Sequence, residues 1–280
     1  MRLFLTKFFF LLCLTFLLDG CETLKNFNLD GSSDSSDEYK DWSEEKLHTS
    51  AKEAMDDGYY QKAIKMYETL ESRFPFGDYA AQAQLNIAYA YYKNDDADAA
   101  IAAAERFIKI HPRNPSVDYA YYLKGLVNYN RDIGFLERFV PTDSSQRDPG
   151  SAREAYSNFE ELISRFPDSQ YVSDAKQRMI ALRNNMAMHE VHIARFYLRR
   201  KAYIAAVNRA SEVVKNYQRT PAVPFALQVM IEAYNKLGME QLATNASRVY
   251  ELNFPDGPPV PEHDAKTLAG KAWQFIGLEE

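Results

Sequence analysis

Two histidines near the middle of the chain have the residue type and spacing of a possible metal site. His189 and His192 flank Glu190, and a three-residue spacing would place both imidazoles on one face of a helix. A zinc site needs further ligands, and none is arranged nearby in the sequence. We therefore interpret this segment as a solvated helix face and expect no metal and no other cofactor.

Other catalytic signatures are missing from the sequence. It has no glycine-rich phosphate loop, no nucleophile elbow and no cysteine placed as a nucleophile. The carboxylate pairs Asp56-Asp57 and Asp95-Asp96 fall at predicted helix ends and turns, where water or the helix dipole accommodates them. Carboxylates that are distant in sequence could still meet in the fold, but the sequence predicts a protein that is not an enzyme.

The N-terminus has the pattern of a signal peptide. Two basic residues, Arg2 and Lys7, precede an apolar run from Phe8 to Leu18 that only Thr15 interrupts. These 11 residues are too few for a membrane-spanning helix, which needs about 20, and are typical of a signal-peptide core. We predict that residues 1–20 are a signal peptide.

The residues that follow indicate a lipid anchor. Leu18, Gly20 and Cys21 resemble the bacterial lipobox, in which the cysteine becomes the lipidated first residue. Asp19 departs from the usual Ala or Ser, which bears on cleavage efficiency. The alternative is an ordinary secretory signal with a chance cysteine. With Cys21 lipidated, the protein acts outside the cytoplasm on a membrane surface.

The anchor also determines what can be expected of the cysteines and of the net charge. Cys13 would leave with the signal and Cys21 would carry acyl chains, so no thiol remains for a disulfide.

Loss of the signal changes the formal net charge from −6 to −7, and the absence of a basic run argues against nucleic acid as a partner. Residues 21–38, rich in Ser, Asp and Asn, are expected to form a flexible tether that reaches roughly 20–25 Å.

A repeated pattern runs through the rest of the chain. Four segments end in Arg73-Phe74-Pro75, Ile110-His111-Pro112, Arg165-Phe166-Pro167 and Asn253-Phe254-Pro255, and Asn216-Tyr217-Gln218 ends a fifth without Pro. The position twelve residues before each terminal residue is always Ala: Ala63, Ala100, Ala155, Ala206 and Ala243. The position five residues before it is always large and apolar: Leu70, Phe107, Leu162, Val213 and Tyr250. A small residue lets a neighbouring helix approach closely, and Pro ends the helix.

This pattern predicts an all-α fold, a superhelical solenoid of five tetratricopeptide (helix-turn-helix) repeats. An unrelated α-helical bundle is the alternative. Gly58 and Gly238 mark turns within the first and last repeats. An insertion, residues 131–150, falls within repeat three, and the segment from Tyr171 to Arg200 lacks Gly and Pro and predicts one long helix. We divide the chain into repeats 1–3 (residues 39–170), repeats 4–5 (171–255) and a tail (256–280).

Tyrosines are concentrated in the first half of the protein. The repeat positions place several of them, with one lysine, on the concave side of the solenoid: Tyr89, Tyr92, Lys93, Tyr119, Tyr122 and Tyr129. Tyrosines exposed on the concave side form an apolar patch of the kind that binds ligands. The alternative is that these tyrosines pack in the core. We expect them to bind an extended peptide that ends in an aromatic residue and a carboxylate, with Lys93 or Lys52 near the carboxylate.

Four strings carry a resemblance to a known family. They are Arg73 to Tyr79 (RFPFGDY), Tyr89 to Asn94 (YAYYKN), Arg147-Asp148-Pro149 and Ala206 to Arg209 (AVNR). With the lipobox, the inserted loop and the long helix, they resemble the BamD lipoproteins of the β-barrel assembly machinery from about Tyr39 to Pro255. The tail beyond Pro255 departs from that pattern.

The resemblance implies a lipoprotein of the outer membrane, anchored on the periplasmic face. Its implied partners are the POTRA domains of the barrel-inserting subunit, the other assembly lipoproteins, and the C-terminal signals of unfolded outer-membrane proteins. Glu22 after the lipid-bearing cysteine is similar to outer-membrane sorting in enteric bacteria. The resemblance further implies that Arg209 contacts a POTRA carboxylate. From the sequence itself, the i±4 neighbours of Arg209, Ala205 and Val213, offer no acidic partner along the helix, and a solvated charge is the alternative.

Two other classes of function stay open at this point. A repeat lipoprotein that docks pilus secretin subunits would share the fold, the anchor and the compartment. A periplasmic enzyme that acts on the cell wall would share the compartment alone.

Overall fold

The computed structural model describes residues 39–131 and 143–258, and within them the chain forms ten α-helices, one short 3-10 helix at Ser144–Gln146 and no strand. The helices are α1 (Glu44–Asp56), α2 (Tyr60–Arg73), α3 (Ala80–Lys93), α4 (Ala97–Ile110), α5 (Val117–Asn130), α6 (Gly150–Arg165), α7 (Val172–Arg199), α8 (Tyr203–Asn216), α9 (Val223–Lys236) and α10 (Glu240–Asn253). The signal, the tether, residues 132–142 of the insertion and the tail from 259 lie outside these residues.

Consecutive helices pair into five helix-turn-helix units, in the order α1/α2 to α9/α10. Each helix packs against the next one along the chain, and the first helices of neighbouring units also touch, α3 against α5 and α7 against α9. In a solenoid, each repeat contacts only the repeats next to it. The prediction of five tetratricopeptide repeats, with the insertion between the two helices of the third, is confirmed.

The repeated small and large residues form the core of this stack. The five predicted alanines are 0–4% exposed. Leu70, Phe107, Leu162 and Val213 are at most 1% exposed, but Tyr250 of α10 is only half-buried. In the first four units a following helix covers this position, whereas no further described helix covers it in the last.

The second helices end in one shared conformation. The aromatic or histidine residue after each helix leaves the helical region, with φ between −136° and −116°, and its N–H donates to the carbonyl of the large apolar residue four positions earlier at 2.8–2.9 Å. A following Pro disfavours the helical region for the preceding residue. Tyr217 adopts the same conformation before Gln218, so the packing of the unit specifies this end even without Pro.

The long helix α7 is shared between two parts of the core. It has 28 residues, about 42 Å at 1.5 Å per residue. Ala175, Leu182 and Met186, from its start to its middle, pack with repeat three, whereas Val191 and Ala194 further along pack with α8 and α9. The prediction of one continuous helix here is confirmed, and its two halves belong to adjacent clusters of the core.

Candidate functional site

Tyrosines of α3 and α5 come together on the face that the first helices form. The ring centroids of Tyr89 and Tyr92 are 6.3 Å apart, and those of Tyr119 and Tyr122 are 6.4 Å apart. Tyr119 packs against the same buried cluster as Tyr89 and Tyr92. Burial, and then the neighbouring phenols led by Tyr89 and Tyr171, raise the pKa of Tyr119, so its hydroxyl stays protonated at neutral pH.

Tyr171, which precedes α7, completes this group of rings, and the repeat-based prediction missed it. Its ring stacks on Tyr122 at 4.6 Å and lies 5.4 Å from Tyr119. A signal for it exists in the sequence, because Tyr171 follows Phe166 by five residues just as Tyr79 follows Phe74. Both tyrosines immediately precede the first helix of a repeat. Tyr89, Tyr92, Tyr119, Tyr122, Tyr129 and Tyr171 are called the tyrosine surface below.

Tyr122 joins the tyrosine surface to the core. It is 9% exposed, and its ring lies 6.0 Å from Phe159. Its hydroxyl donates to Asp174 at 2.5 Å, and burial followed by this contact raises the pKa of Tyr122 to about 12. Burial alone would raise the pKa of Asp174, but hydrogen bonds from Arg178 and Tyr122 hold it below its usual range. The ring of Tyr122 therefore packs, and its hydroxyl is fixed by an ionised carboxylate.

The edges of the surface carry polar groups. At one edge the guanidinium of Arg178 lies 4.8 Å from the ring centre of Tyr129. At the other, Asn130 Nδ2 donates to the hydroxyl of Tyr92 at 2.8 Å. The ammonium of Lys93 lies 5.8 Å from the ring centre of Tyr60 in α2. The structure thus brings Tyr89, Tyr92, Tyr119 and Tyr122 together. Tyr129 packs against Phe159, and the Lys93 ammonium lies over a ring of the second helix of repeat one.

The histidines of α7 bind the end of the insertion, so the prediction of a solvated face was wrong. His189 Nδ1 lies 2.9 Å from the carbonyl oxygen of Ser145 and must donate to it. His192 Nε2 lies 2.9 Å from Ser145 Oγ and 3.3 Å from Asp143 Oδ2. Ser145 is 3% exposed. The partners are more than 40 residues away in sequence, so the local pattern gave no signal of this contact.

Arg209, the predicted docking residue, has an acidic partner on another helix. Its Nη1 donates to Glu190 Oε2 of α7 at 3.0 Å, and the two side chains are 46% and 14% exposed. The i±4 neighbours on its own helix, Ala205 and Val213, are not acidic, but Glu190 gives the charge of Arg209 a structural explanation, so the inference that it had none was wrong. Nearly half of the Arg209 side chain stays exposed.

The predicted lipidation site, Cys21, lies outside the described residues. Within residues 39–131 and 143–258, no helix is long and apolar enough to cross a membrane. The same residues contain no group of three or more His, Cys, Asp or Glu side chains placed to hold a metal ion.

The sequence is similar to curated proteins over most of its length. It is 48% identical over 219 residues to an outer membrane protein assembly factor BamD of Neisseria meningitidis serogroup A, covering 78% of this chain and 82% of that protein. A protein of the same name from Vibrio cholerae is 38% identical over 223 residues, covering 80% and 92%. These comparisons give no support to the secretin-docking alternative.

Among solved structures, kinesin light chain TPR-like repeats from Podosopora anserina align at 16% identity and a TM-score of 0.32, covering 75% of this chain and 95% of that one. At that TM-score the likeness adds nothing to the fold seen in the helices themselves.

The model of one family, YfiO, described as an outer membrane lipoprotein, matches residues 40–249, which include all ten helices except the last four residues of α10. Together with relatives that are 38–48% identical, this match shows that the chain belongs to the YfiO family of outer membrane lipoproteins.

Proposed function

We propose that this chain is a non-enzymatic subunit of the outer-membrane β-barrel assembly machinery. Family membership, together with relatives named outer membrane protein assembly factor, is the observation that carries the proposal. A stack of helical repeats suits such a role because it presents extended surfaces to several partners at once. Two surfaces of the chain are proposed to serve it, the tyrosine surface and the neighbourhood of Arg209.

The tyrosine surface is proposed to bind the C-terminal signal of an unfolded outer-membrane protein. Tyr89, Tyr92 and Tyr129 are half-buried, so they offer ring faces to an incoming aromatic side chain. The raised pKa of Tyr119 keeps its hydroxyl a donor. Lys93 is exposed and pairs with no carboxylate among the described residues, which leaves its ammonium for a terminal carboxylate. Binding is expected to be weak, because ordering a disordered peptide opposes it by several kcal/mol.

Photo-crosslinking tests this surface. A photoreactive residue at Tyr92 should capture a peptide that ends in an aromatic residue with a free carboxylate, and amidation of that carboxylate should reduce the yield. Tyr156 is a matched control, a half-buried tyrosine on the second helix α6. Exposed Glu68 of α2 is a second one. Equal crosslinking at Tyr92 and the two controls, or none at all, would show that these rings only pack.

Arg209 is proposed to dock the POTRA domains of the barrel-inserting subunit. Glu190 occupies one of its nitrogens at 3.0 Å, and a guanidinium has five N–H donors in a planar fork. A partner carboxylate can therefore bind the exposed edge while Glu190 holds the side chain in place. Glu190 thus orients the Arg209 side chain. The proposed docking residue is an arginine that already has one acidic partner, not the unpaired arginine that the sequence suggested.

Charge reversal tests the docking role. Arg209→Glu should reduce co-purification of the barrel-inserting subunit, and an acidic-to-basic change on the partner should restore it. Arg248→Glu on α10 is the matched control, since Arg248 is also exposed and has no ion pair in the described part of the chain. Undiminished co-purification of the Arg209→Glu variant would place docking elsewhere.

Cys21 is proposed to carry the lipid anchor on the periplasmic face of the outer membrane. Each buried methylene of an acyl chain contributes about 0.8 kcal/mol, and stable attachment needs more than one chain. Cys21→Ala should release the protein into the periplasm or leave it held by an uncleaved signal. Incorporation of labelled fatty acid into this variant, as into wild type, would exclude Cys21 as the lipidated residue.

A further inference from the structure

A cleft of about 310 Å³ lies between α7 and α9, away from both surfaces discussed above. These are the first helices of repeats four and five, and they touch each other directly. Arg195 and Arg199 of α7 line one wall, and Phe225, Gln228 and Glu232 of α9 line the other. The cleft therefore opens on the same side of the solenoid as the tyrosine surface, but in the second half of the protein.

Two arginines in this cleft lack an acidic partner. Arg195 and Arg199 are one helical turn apart, so their side chains leave the same face of α7. Arg195 is half-buried, and its guanidinium lies 5.0 Å from the ring centre of Phe225. Neither forms an ion pair with a carboxylate of the described residues, where Glu190 binds Arg209 and Asp143 binds His192.

The two guanidinium groups carry like charges, and Glu232, the carboxylate that lines the same cleft, forms no ion pair with either of them. Burial, and then the like charge of Arg199, lower the pKa of Arg195. An arginine stays charged at neutral pH all the same, so the cleft holds two neighbouring positive charges, one of them partly removed from water. Half-buried charges are normally paired. A carboxylate bound between the two guanidinium groups would supply the missing partner.

We propose that this cleft binds an acidic side chain on an extended segment of a partner protein. Its carboxylate would accept hydrogen bonds from Arg195 and Arg199, and an adjacent apolar side chain would contact Phe225. Gln228 offers an amide to the backbone of the segment. Glu232 on the facing wall can accept a hydrogen bond from a backbone N–H of the segment, a donor that a phosphate group does not carry.

A pair of matched peptides tests the proposal. One is a nine-residue fluorescent peptide, blocked at both ends, with a single Glu between Leu and Phe, and the other carries Gln in place of that Glu. Fluorescence anisotropy with the lipid-free mature protein should show about tenfold tighter binding of the Glu peptide, as expected for charge-assisted hydrogen bonds. The double variant R195Q/R199Q should bind both peptides equally weakly.

The control variant is R153Q/R248Q, which removes the same charge from two exposed arginines on α6 and α10 that form no ion pair in the described part of the chain. It should keep the tenfold preference, and circular dichroism should show the same helix content in all variants.

Equal binding of the two peptides by wild type would overturn the proposal, as would loss of the preference in the control. Binding of phosphatidylglycerol vesicles that depends on Arg195 and Arg199, without discrimination between the peptides, would replace the acidic segment by a phosphate headgroup. None of these outcomes depends on Arg209 or on the tyrosine surface.

Discussion

His189 and His192 show how the role of a side chain depends on partners far along the chain. Their spacing in the sequence is that of a solvated helix face, yet both imidazoles contact Ser145 at 2.9 Å. Arg209 is a parallel case, because its partner Glu190 lies 19 residues earlier on another helix. Periodicity shows which face a residue occupies, but it does not show what packs against that face.

The attachment of the insertion to α7 should weaken in acid. Burial, opposed in part by Asp143, lowers the pKa of His192 below its usual value, so the folded state favours the neutral ring. An unfolded segment takes up the proton near pH 6.5. The stabilisation is therefore fully present above about pH 6.5 and is lost as the pH falls through the lower pKa of the folded state. Amide hydrogen exchange of residues 143–148, corrected for intrinsic rates, should show less protection at pH 5.5 than at pH 7.5.

The control for this prediction is His192→Gln, which keeps a hydrogen-bonding group beside Ser145 but does not titrate. Its protection should change less between the two pH values. His189 and Arg195 oppose protonation of His192, whereas Asp143 favours it. Equal or greater protection of wild type at pH 5.5 would mean that the attraction of Asp143 dominates.

The pair Arg209–Glu190 should add little to stability. Because Arg209 is 46% exposed, solvent screens the interaction, and exposed pairs contribute about 0–1 kcal/mol. Arg209→Gln should lower the free energy of unfolding in urea by less than about 1 kcal/mol, and Glu190→Gln by a similar amount. A loss above about 2 kcal/mol would make the pair structural, and the docking test would then need a milder substitution.

The turns between paired helices share a backbone conformation that the sequence revealed only in part. Gly58 and Gly238 were predicted as turn residues and have φ of 82° and 70°. The same position in repeats two and four holds Asp95 and Lys201, both with φ of 61°. Glycine indicates such a turn because it has no Cβ and readily adopts a positive φ. A lysine with a positive φ cannot be recognised from its residue type.

This difference predicts opposite effects of exchanging the turn residues. Gly58→Ala should lower the free energy of unfolding by about 1–2 kcal/mol, the penalty for a Cβ in the left-handed region. No atom lies within 4 Å of the added Cβ, so the effect is one of backbone conformation. Lys201→Gly should raise the free energy of unfolding or leave it unchanged. Gly150→Ala is the control, because Gly150 has an ordinary φ and its Cβ would make normal contacts at 3.6 Å. An equal loss in Gly58→Ala and Gly150→Ala would refute the conformational explanation.

Close packing of α5 against α6 depends on Gly125. A Cβ there would lie 2.3 Å from the ring of buried Phe159. Gly125→Ala should therefore destabilise the protein by about 1–3 kcal/mol, the usual range for overpacking. Adding Phe159→Leu, which removes the clashing ring, should recover part of that loss in a double-mutant cycle. Additive losses in the double variant would show that the two residues do not meet.

Across the molecule, the elements were predictable from the sequence, whereas contacts between distant segments were not. Five copies of one pattern located the helices and the buried alanines, and the lack of Gly and Pro from Tyr171 to Arg200 located the long helix α7. The tyrosine surface followed from the same positions, except for Tyr171, which lies before a helix. The histidine contacts, the partner of Arg209 and the paired arginines of the cleft depend on which helices meet in space. A single repeat does not contain that information.

The halves of the solenoid also differ in the surfaces they offer. The first three repeats carry the tyrosine surface, whereas the last two carry Arg209 and the arginine cleft. Under the proposed function, one chain would hold an unfolded substrate and a docked partner at the same time. Separate surfaces for a substrate and for a partner subunit are what the proposed role in barrel assembly requires.

Affinity purification of the tagged protein from detergent-solubilised outer membranes tests that role most directly. A barrel-inserting subunit that carries POTRA domains should co-purify with wild type, together with companion lipoproteins. The Arg209→Glu variant should yield less of that subunit, and Arg248→Glu should not. Recovery of a pilus secretin in place of the barrel-inserting subunit, or of neither, would contradict the proposed role.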